Sequence, residues 1–292
     1  MGLFSNLFSK QACSLCNTEV GALNRTKLKD GLYICKTCKK DTSAFFKAEN
    51  YTLNQVQKHI EYMEKQDELY DKEFSSLPKD KIDRIVHLGS YGIAFADDIA
   101  MFEIITPETS KRSHKELFRY DQIKDFEVYG KENINTQSGG KKYSETGIRI
   151  LMNCANDISN ISSSKDAKKF MHPYACEFII PVSRNVDSKD GGLAKHHLNR
   201  IFGRPEETLV GSIKEKFTGT KHQQTGGKAA KEAASALGSL IKGDKEKAKE
   251  KLNSAIETGL EYATENRSKY TKIADKVEKD FMGETFREFL EK

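Results

Sequence analysis

The sequence predicts an α+β protein built from a small cysteine-rich module, a central region of antiparallel strands closed by one helix, and amphipathic C-terminal helices. The first observation is a pair of Cys-x-x-Cys motifs near the N-terminus. The second is a series of short apolar runs between residues 84 and 182, separated by Gly and Asp turns. The third is an Ala-, Lys- and Glu-rich C-terminus with apolar residues at spacings of three and four.

The composition suits small modules joined to solvated helices. Hydrophobic residues make up 37% of the 292 residues and charged residues 31%, which is more polar than an average globular domain. The net charge of +5 does not by itself demand a polyanionic partner. The sequence contains no run of about 20 apolar residues, so we expect no transmembrane segment.

The cysteine spacing predicts a structural zinc ion. Cys13 and Cys16 form the first pair, Cys35 and Cys38 form the second, and the segment between them is long enough for a β-hairpin. Each Cys-x-x-Cys turn delivers two sulfurs from one tight loop, and four sulfurs fill the tetrahedral coordination of Zn²⁺. A redox motif would use a single pair at the start of a helix in a βαβ unit, which the sequence lacks. Because a catalytic zinc keeps a position open for water, we expect these four residues to be the ligands of a structural site.

The residues between and after the two pairs predict a ribbon-like hairpin. Asn24–Arg25 and Asp30–Gly31 supply bends, and the apolar run after Gly31 favours a strand that enters the second pair. Asn17 follows the first pair and tolerates a left-handed backbone conformation. We expect a helix to begin after Cys38.

These residues resemble a known bacterial family. The two cysteine pairs, Gly21, Arg25 and the run Lys27-Leu28-Lys29-Asp30-Gly31 are similar to a zinc-ribbon domain of unknown function found at the N-terminus of many bacterial proteins. The resemblance covers residues 1–60 and continues through Tyr51-Thr52-Leu53. It implies the four zinc ligands, and it implies no activity because the activity of the family is itself unknown.

A connecting helix is predicted over residues 53–74. Thr52 and Gln55 form a capping-box signal, and apolar residues then recur at helical spacing as far as Phe74. His59 lies beside this apolar stripe. We expect a surface or partly packed histidine there, since four sulfurs already complete the metal site.

The central region predicts six or seven short antiparallel strands followed by a helix. Polar composition favours loops over 130–145 and 155–175, and the pattern from Leu193 to Phe202 favours the helix. The predicted strands lie near residues 84–88, 92–96, 100–105, 116–120, 126–129, 147–152 and 177–182.

This order of elements resembles a pleckstrin-homology-like (PH-like) or GRAM-like domain. The segment from Phe118 to Tyr129 is similar to the strand–turn–strand of bacterial members. The resemblance implies a closed antiparallel β-barrel with a closing helix. It also implies binding of peptides, lipids or protein surfaces, among which the fold alone does not choose.

The sequence predicts no enzymatic site. His172, Cys176, His196 and His197 invite a Cys-His or metal hypothesis. Cys176 opens an alternating apolar strand, which favours a buried inert thiol, and the adjacent His196 and His197 point to different sides of a helix. A Gly-rich phosphate loop, a nucleophile elbow and a His-Glu-x-x-His motif are all missing from the sequence.

The C-terminal residues predict amphipathic helices whose apolar stripe must be buried. Gly243–Asp244 marks a break with a candidate N-cap, and a second stripe runs from Leu252 to Phe281. The stripe can pack on the central region, associate with a second copy, or lie on a membrane. Because its polar face mixes Glu with Lys, we expect intramolecular or homo-oligomeric packing.

The ribbon is basic, with eight Lys or Arg and three Asp or Glu between Lys10 and Lys47. We favour a solvated basic face, and nucleic-acid binding is the alternative. The lysines that such binding would use are Lys27, Lys29, Lys36, Lys39 and Lys40.

The sequence signals together divide the chain into four parts. They are a ribbon with a short amphipathic N-terminal segment (1–50), a connecting helix (51–78), a β-rich domain (79–217) and a helical tail (218–292).

The leading hypothesis is a cytoplasmic, non-enzymatic adaptor that holds a structural zinc and acts through contacts with a protein partner that the sequence does not name. The first ten residues are too short and polar for a secretory signal, and the paired cysteines indicate metal rather than disulfides in a reducing compartment. A further alternative is reversible peripheral membrane contact through the PH-like domain and the N-terminal stripe of Leu3, Phe4, Leu7 and Phe8.

Overall fold

The computed structural model describes residues 10–87, 89–133, 142–155, 171–185, 189, 191–202 and 267–291. Within them the chain mixes helices and strands, as the predicted α+β class requires. The N-terminal stripe and the predicted helical residues from 218 to 266 lie outside the described residues. In the part that is described, no helix is both long and apolar enough to cross a bilayer.

Residues 10–50 form two short hairpins. The strands are β1 (Gln11–Ala12) paired with β2 (Glu19–Val20), and β3 (Arg25–Lys27) paired with β4 (Tyr33–Cys35). Asn17 takes the left-handed conformation that its residue type tolerates, with φ 59°. Gly31, in the predicted bend after Asp30, is also left-handed, with φ 85°. After the second cysteine pair the chain makes a 3₁₀ turn, Cys38–Asp41, where a longer helix was expected.

Helix α1 (Leu53–Leu69) connects this module to the β-rich region. The amide of Thr52 donates to Oε1 of Gln55 at 3.0 Å, which confirms the predicted capping box. The helix continues as a π-helical turn over Tyr70–Phe74, so it ends where the apolar periodicity ends.

The described part of the β-rich region contains seven strands in two antiparallel sheets. They are β5 (Asp83–His87), β6 (Tyr91–Ala96), β7 (Met101–Ile105), β8 (Leu117–Arg119), β9 (Ile123–Glu132), β10 (Tyr143–Met152) and β11 (Glu177–Ser183). The sheet orders are β5-β6-β7-β8 and β11-β10-β9. Strands β9 and β10 extend into the predicted loop, because Glu132 pairs with Tyr143 and the ladder satisfies a polar backbone. The strand pairings among the described residues form two separate sheets, without a hydrogen-bonded strand pair between them. The closed barrel therefore remains a prediction.

Aromatic side chains join the two sheets. The ring of Phe178 on β11 meets Phe118 on β8 at 4.6 Å and Phe102 on β7 at 6.2 Å. All three rings are fully buried. The core of the region therefore lies between the sheets.

Helix α2 (Gly192–Phe202) closes this core, as predicted for residues 193–202. His197 stacks on Phe95 of β6 with ring centres 5.1 Å apart. Phe202 lies 5.7 Å from Phe126 of β9, so the helix contacts both sheets.

The described C-terminal residues form two helices that pack on the rest of the chain: α3, described over residues 267–282, and α4 (Phe286–Glu291). Tyr270 meets Tyr120 edge-on at 5.1 Å, which places α3 against the turn after β8. Nζ of Lys58 on α1 donates to the carbonyl of Leu290 at 2.8 Å. The described part of the predicted C-terminal stripe is therefore packed against α1 and the sheets, with Tyr270 and Ala274 buried and Ile273, Val277 and Phe281 half-buried.

A continuous hydrophobic core runs from the N-terminal module to the C-terminal helices. Its buried members include Ile34 in β4, Phe46 after the ribbon, Met63 in α1, Phe118 in β8 and Ala274 in α3. Because these side chains pack in one cluster, removing the N-terminal module would expose apolar surface on the rest of the chain.

Candidate metal centre

Four sulfur atoms converge in the N-terminal module. The Sγ atoms of Cys13, Cys16, Cys35 and Cys38 all lie within 4.8 Å of one another. The separation is 3.9 Å between Cys13 and Cys38 and 3.8 Å between Cys16 and Cys35. Four thiolates at about 2.3 Å from a zinc ion have sulfur–sulfur edges of about 3.8 Å. The four predicted ligands therefore stand at the spacing of a tetrahedral zinc–thiolate site.

Backbone amides support the sulfurs from within the turns. The amide of Cys35 donates to Sγ of Cys13 at 3.2 Å, and the amide of Cys38 donates to Sγ of Cys35 at 3.3 Å. Such donors stabilise thiolate charge and fix the direction in which each sulfur points. The first turn is closed by the amide of Asn17, which donates to the carbonyl of Cys13 at 2.8 Å.

The environments of the four thiols differ. Cys13 and Cys35 are buried and Cys16 is exposed. The side chain and amide of Thr18 hydrogen-bond to Cys16 and lower the pKa of its thiol to about 6. Burial raises the pKa of the Cys38 thiol. A bound divalent cation favours the thiolate at every ligand, so metal binding releases protons.

The donor set fits structural zinc rather than a catalytic ion. No His, Asp or Glu among the described residues joins the four cysteines in the cluster. Soft thiolates select Zn²⁺ over the hard cations Mg²⁺ and Ca²⁺, which prefer oxygen ligands.

Hydrogen bonds fix the metal-side turn to the β-rich region. A guanidinium nitrogen of Arg112 donates to the carbonyl of Lys39, in the 3₁₀ turn that begins at Cys38. The amide of Ser113 donates to the carbonyl of Lys40 at 3.0 Å. The second cysteine pair is thus held against the loop that joins β7 to β8.

His59 is buried, and the prediction of a surface or partly packed histidine is wrong. Its imidazole stacks on Phe46 with ring centres 3.9 Å apart. Nε2 of His59 accepts a hydrogen bond from the amide of Ser43 at 3.1 Å. The chain leaving the ribbon supplies both contacts, and helical periodicity gives no sign of either.

A buried polar cluster centres on Glu116, whose side chain is 7% exposed. Oγ of Ser43 donates to Oε2 of Glu116 at 2.6 Å, and the hydroxyl of Tyr174 donates to Oε1. Nε2 of His172 lies 3.7 Å from Oε1 of Glu116 and has no hydrogen-bond partner among the described residues. The hydroxyl of Ser43 faces a carboxylate instead of a histidine, so the cluster lacks the Ser–His contact of an activated nucleophile.

Burial shifts the pKa values of the two titrating groups of this cluster, Glu116 and His172, in opposite directions. It raises the pKa of Glu116 to about 7 and lowers the pKa of His172 to about 3. Burial also lowers the pKa of the neighbouring His59. Each shift favours the neutral form of its group.

These shifts predict opposite changes in the pH dependence of stability. The unfolded chain binds a proton at His172 near pH 6.5, before the folded protein does, so this residue makes stability fall as the pH drops below that value. Glu116 stabilises the folded protein below its ordinary pKa of 4.5, and that contribution is lost as the pH rises towards about 7. We expect His172→Gln to flatten the acid loss of stability and Glu116→Gln to steepen it, each by up to about 1.4 kcal/mol per pH unit.

Urea unfolding of the full-length protein and both variants between about pH 7 and about pH 5 measures these slopes. The slope of the free energy of unfolding is compared, so a loss of stability common to every pH has no influence. Parallel curves for the three proteins would contradict the prediction, as would slope changes of the same sign.

The other candidate residues lie in separate places. Cys176 is exposed and forms a disulfide with Cys154, with Cα atoms 4.9 Å apart. The prediction of a buried, inert thiol at Cys176 is therefore wrong. Pairing of β10 with β11 brings the two cysteines together. The rings of His196 and His197 lie 5.5 Å apart at 76°, and His197 packs on Phe95.

Residues 11–59 match a protein family described as "Domain of unknown function (DUF4428)". The matched segment contains all four cysteines and the first part of α1. Comparison of the chain with curated proteins and with solved structures gives no match. This match confirms, over residues 11–59, the predicted resemblance to a family of unknown function. No family match supports the PH-like resemblance.

Proposed function

We propose that this protein is a non-enzymatic adaptor that acts through protein–protein contacts and uses a zinc ion to fix its N-terminal module. The observation that carries the proposal is the closed four-sulfur cluster of Cys13, Cys16, Cys35 and Cys38. Four sulfurs occupy every position of a tetrahedral ion, which leaves none for a water or a substrate. A zinc ion held in this way supplies folding energy and no Lewis-acid chemistry.

The adaptor role is supported by the way the module is mounted. The zinc would join the turn at Cys13 to the turn at Cys35, and the carbonyls after Cys38 are bonded to Arg112 and Ser113 of the β-rich region. Binding surfaces on the module and on the sheets would thereby keep a fixed relation to each other. Rigid presentation of this kind lowers the entropic cost of binding a partner.

The β-rich region supports the same role if it is PH-like, which we also propose. Two antiparallel sheets followed by α2, which packs across both, suit such a domain. Domains of this type bind peptides, lipids or protein surfaces, and the site rather than the fold decides which.

We propose that the adaptor is cytoplasmic, because four cysteines that bind a metal rather than form disulfides persist best in a reducing compartment. The exposed disulfide of Cys154 and Cys176 is the feature least suited to that compartment. Exposed disulfides are open to thiol exchange, so we expect this pair to be reduced there.

The proposal predicts no turnover by the purified, zinc-loaded full-length protein. Nucleoside triphosphate, unstructured peptide and single-stranded nucleic acid are suitable substrates, and product should stay at the level of the buffer. The buried cluster of Ser43 and Glu116 is the nearest approach to a reactive group, so Ser43→Ala and Glu116→Gln are the matched variants. Turnover that survives purification and disappears in either folded variant would refute the non-enzymatic role.

A further inference from the structure

A basic cleft separates the ribbon from the loop between β7 and β8. Its volume is about 760 Å³, within the range of ligand sites. Of the described residues that line it, one is acidic, Glu108, and the cationic ones are Arg25, Lys36, Lys39, Lys40, Lys111 and Arg112. Positive charge from two distant parts of the sequence therefore converges on one concave surface.

The two walls of the cleft are fixed relative to each other. Arg112 and Ser113 on the loop donate to the carbonyls of Lys39 and Lys40 on the ribbon. The loop is itself closed by the amide of Thr106, which donates to the hydroxyl of Thr109 at 2.8 Å. The cleft is thus preformed, and a ligand would not have to order it.

Three of the cations are available to a ligand. The other three are already engaged: Lys39 pairs with Glu49 at 3.7 Å, the Arg25 guanidinium lies over the ring of Tyr33 at 4.8 Å, and Arg112 donates to the carbonyl of Lys39. Lys36, Lys40 and Lys111 are exposed, and no carboxylate of the described residues lies within 4.0 Å of their ammonium groups. Like charges gathered at one cleft favour an anionic partner through charge complementarity.

The lining favours an acidic protein segment over a nucleic acid. Leu23, on the ribbon side of the cleft, is 91% exposed, more than any other large apolar side chain among the described residues, so it is accessible for an apolar contact with a ligand. Single-stranded nucleic acids bind by stacking on aromatic rings, and no aromatic residue is among the described residues of the lining. Duplex DNA is read by a helix or a two-stranded β-ribbon in the major groove. Among the described lining residues only Arg25 and Thr26 lie in a strand, β3, and its partner β4 contributes none, so the cleft does not present such a ribbon.

We propose that this cleft docks an acidic segment of a partner protein, with carboxylates on Lys36, Lys40 and Lys111 and an apolar side chain on Leu23. The inference rests on the proposed adaptor function and names the chemistry of the partner. The carboxylates steer the segment into the cleft, and the apolar contact gives the site a preference beyond charge.

Fluorescence anisotropy with the zinc-loaded full-length protein tests the assignment. The probe is a labelled peptide of repeated Glu, Asp and Leu, measured at low salt, and a labelled single-stranded oligonucleotide is the second probe. We expect Lys36→Glu, Lys40→Glu and Lys111→Glu each to weaken peptide binding by roughly threefold to tenfold, since one ion pair becomes a repulsion. The matched control is Lys29→Glu, because Lys29 is an exposed ribbon lysine outside the cleft, and it should change the affinity less than about twofold.

The role of Leu23 has its own control. Leu23→Ser should weaken binding of the Leu-containing peptide and leave a Ser-substituted peptide unaffected, because only the former makes the apolar contact. The proposal is overturned if no saturable peptide binding occurs, or if the cleft variants behave like Lys29→Glu. It is also overturned if the oligonucleotide binds more tightly than the peptide and responds to the same variants. Each of these results leaves zinc content and absence of turnover unchanged, so it is distinguishable from failure of the adaptor function.

Discussion

Replacement of Cys35 with serine is expected to abolish zinc binding and unfold the N-terminal module. The Sγ atom of Cys35 lies 3.8 Å from that of Cys16 and accepts a hydrogen bond from the amide of Cys38. The amide of Cys35 donates a hydrogen bond to Sγ of Cys13. One substitution therefore removes a ligand and the sulfur that accepts the hydrogen bond of the Cys38 amide, while the backbone donor to Cys13 is kept. Structural zinc sites contribute about 10–16 kcal/mol of binding free energy, and that energy drives folding of the small domain around them.

The effect of Cys35→Ser should extend beyond the ribbon. Ile34 and Phe46 are buried in the hydrophobic core that continues into α1 and the β-rich region. We expect the free energy of unfolding of the whole chain to fall by more than about 3 kcal/mol, because a cluster of core contacts is lost together with the metal. Elemental analysis of bound zinc and thermal unfolding of the full-length protein measure the two effects.

Cys176→Ser is the matched control for Cys35→Ser. It makes the same change of sulfur to oxygen but removes a cysteine that does not belong to the four-sulfur cluster, so zinc should remain at about one ion per chain. A chelator added to the unmodified protein gives a second reading that needs no mutation, since it should lower thermal stability. Full zinc content in Cys35→Ser, or no effect of the chelator on stability, would disprove the assignment.

Local signals in the sequence were sufficient to predict that the four cysteines converge. A Cys-x-x-Cys turn depends on neighbouring residues, and so do the left-handed Gly31 and the capping box at Thr52. Strand and helix positions followed from periodicity for the same reason, because each is a property of a few consecutive residues. The capping box, the connecting helix and the seven central strands appear near their predicted positions. The exceptions are β9 and β10, which extend into the predicted loop, and the 3₁₀ turn after the second cysteine pair.

Features that depend on distant contacts could not be predicted. His59 is buried because Phe46 and Ser43 arrive from the ribbon, and Cys176 meets Cys154 because two strands pair. The basic cleft has the same origin, since one wall comes from the ribbon and the other from the β7–β8 loop. A sequence pattern records the charge of each wall but not that the walls face each other.

Arg119 is the clearest case of a distant contact with a large energetic role. Its guanidinium pairs with Asp121 at 2.7 Å and, across the chain, with Asp275 at 2.6 Å and Glu278 at 3.1 Å. The side chains of Asp121 and Glu278 are 0% and 2% exposed. Oε2 of Glu278 also accepts a hydrogen bond from the amide of Phe286 at 3.0 Å, so the cluster connects α3 and α4 to β8.

Substitution of Arg119 by methionine is expected to lower the free energy of unfolding by about 3–5 kcal/mol, because the partner carboxylates stay buried without their cation. Methionine keeps much of the aliphatic volume, so the loss reports on charge rather than on a cavity. Arg149→Met is the control: Arg149 pairs with Glu127 and Glu177 but is 41% exposed, and its loss should cost less than about 1 kcal/mol. Urea unfolding of the full-length proteins gives both values.

The pH dependence of the Arg119→Met variant separates an unpaired charge from a simple packing defect. Burial raises the pKa of Glu278, and Arg119 opposes that shift, so removing the arginine raises the pKa further. The folded variant then binds a proton at a pH where the unfolded chain does not, and its stability relative to the unmodified protein should recover as the pH falls from about 7 to about 5. Recovery can reach about 1.4 kcal/mol per pH unit for one carboxyl group. A loss of stability that is equal at both pH values would mean that Arg119 holds the C-terminal helices by packing alone.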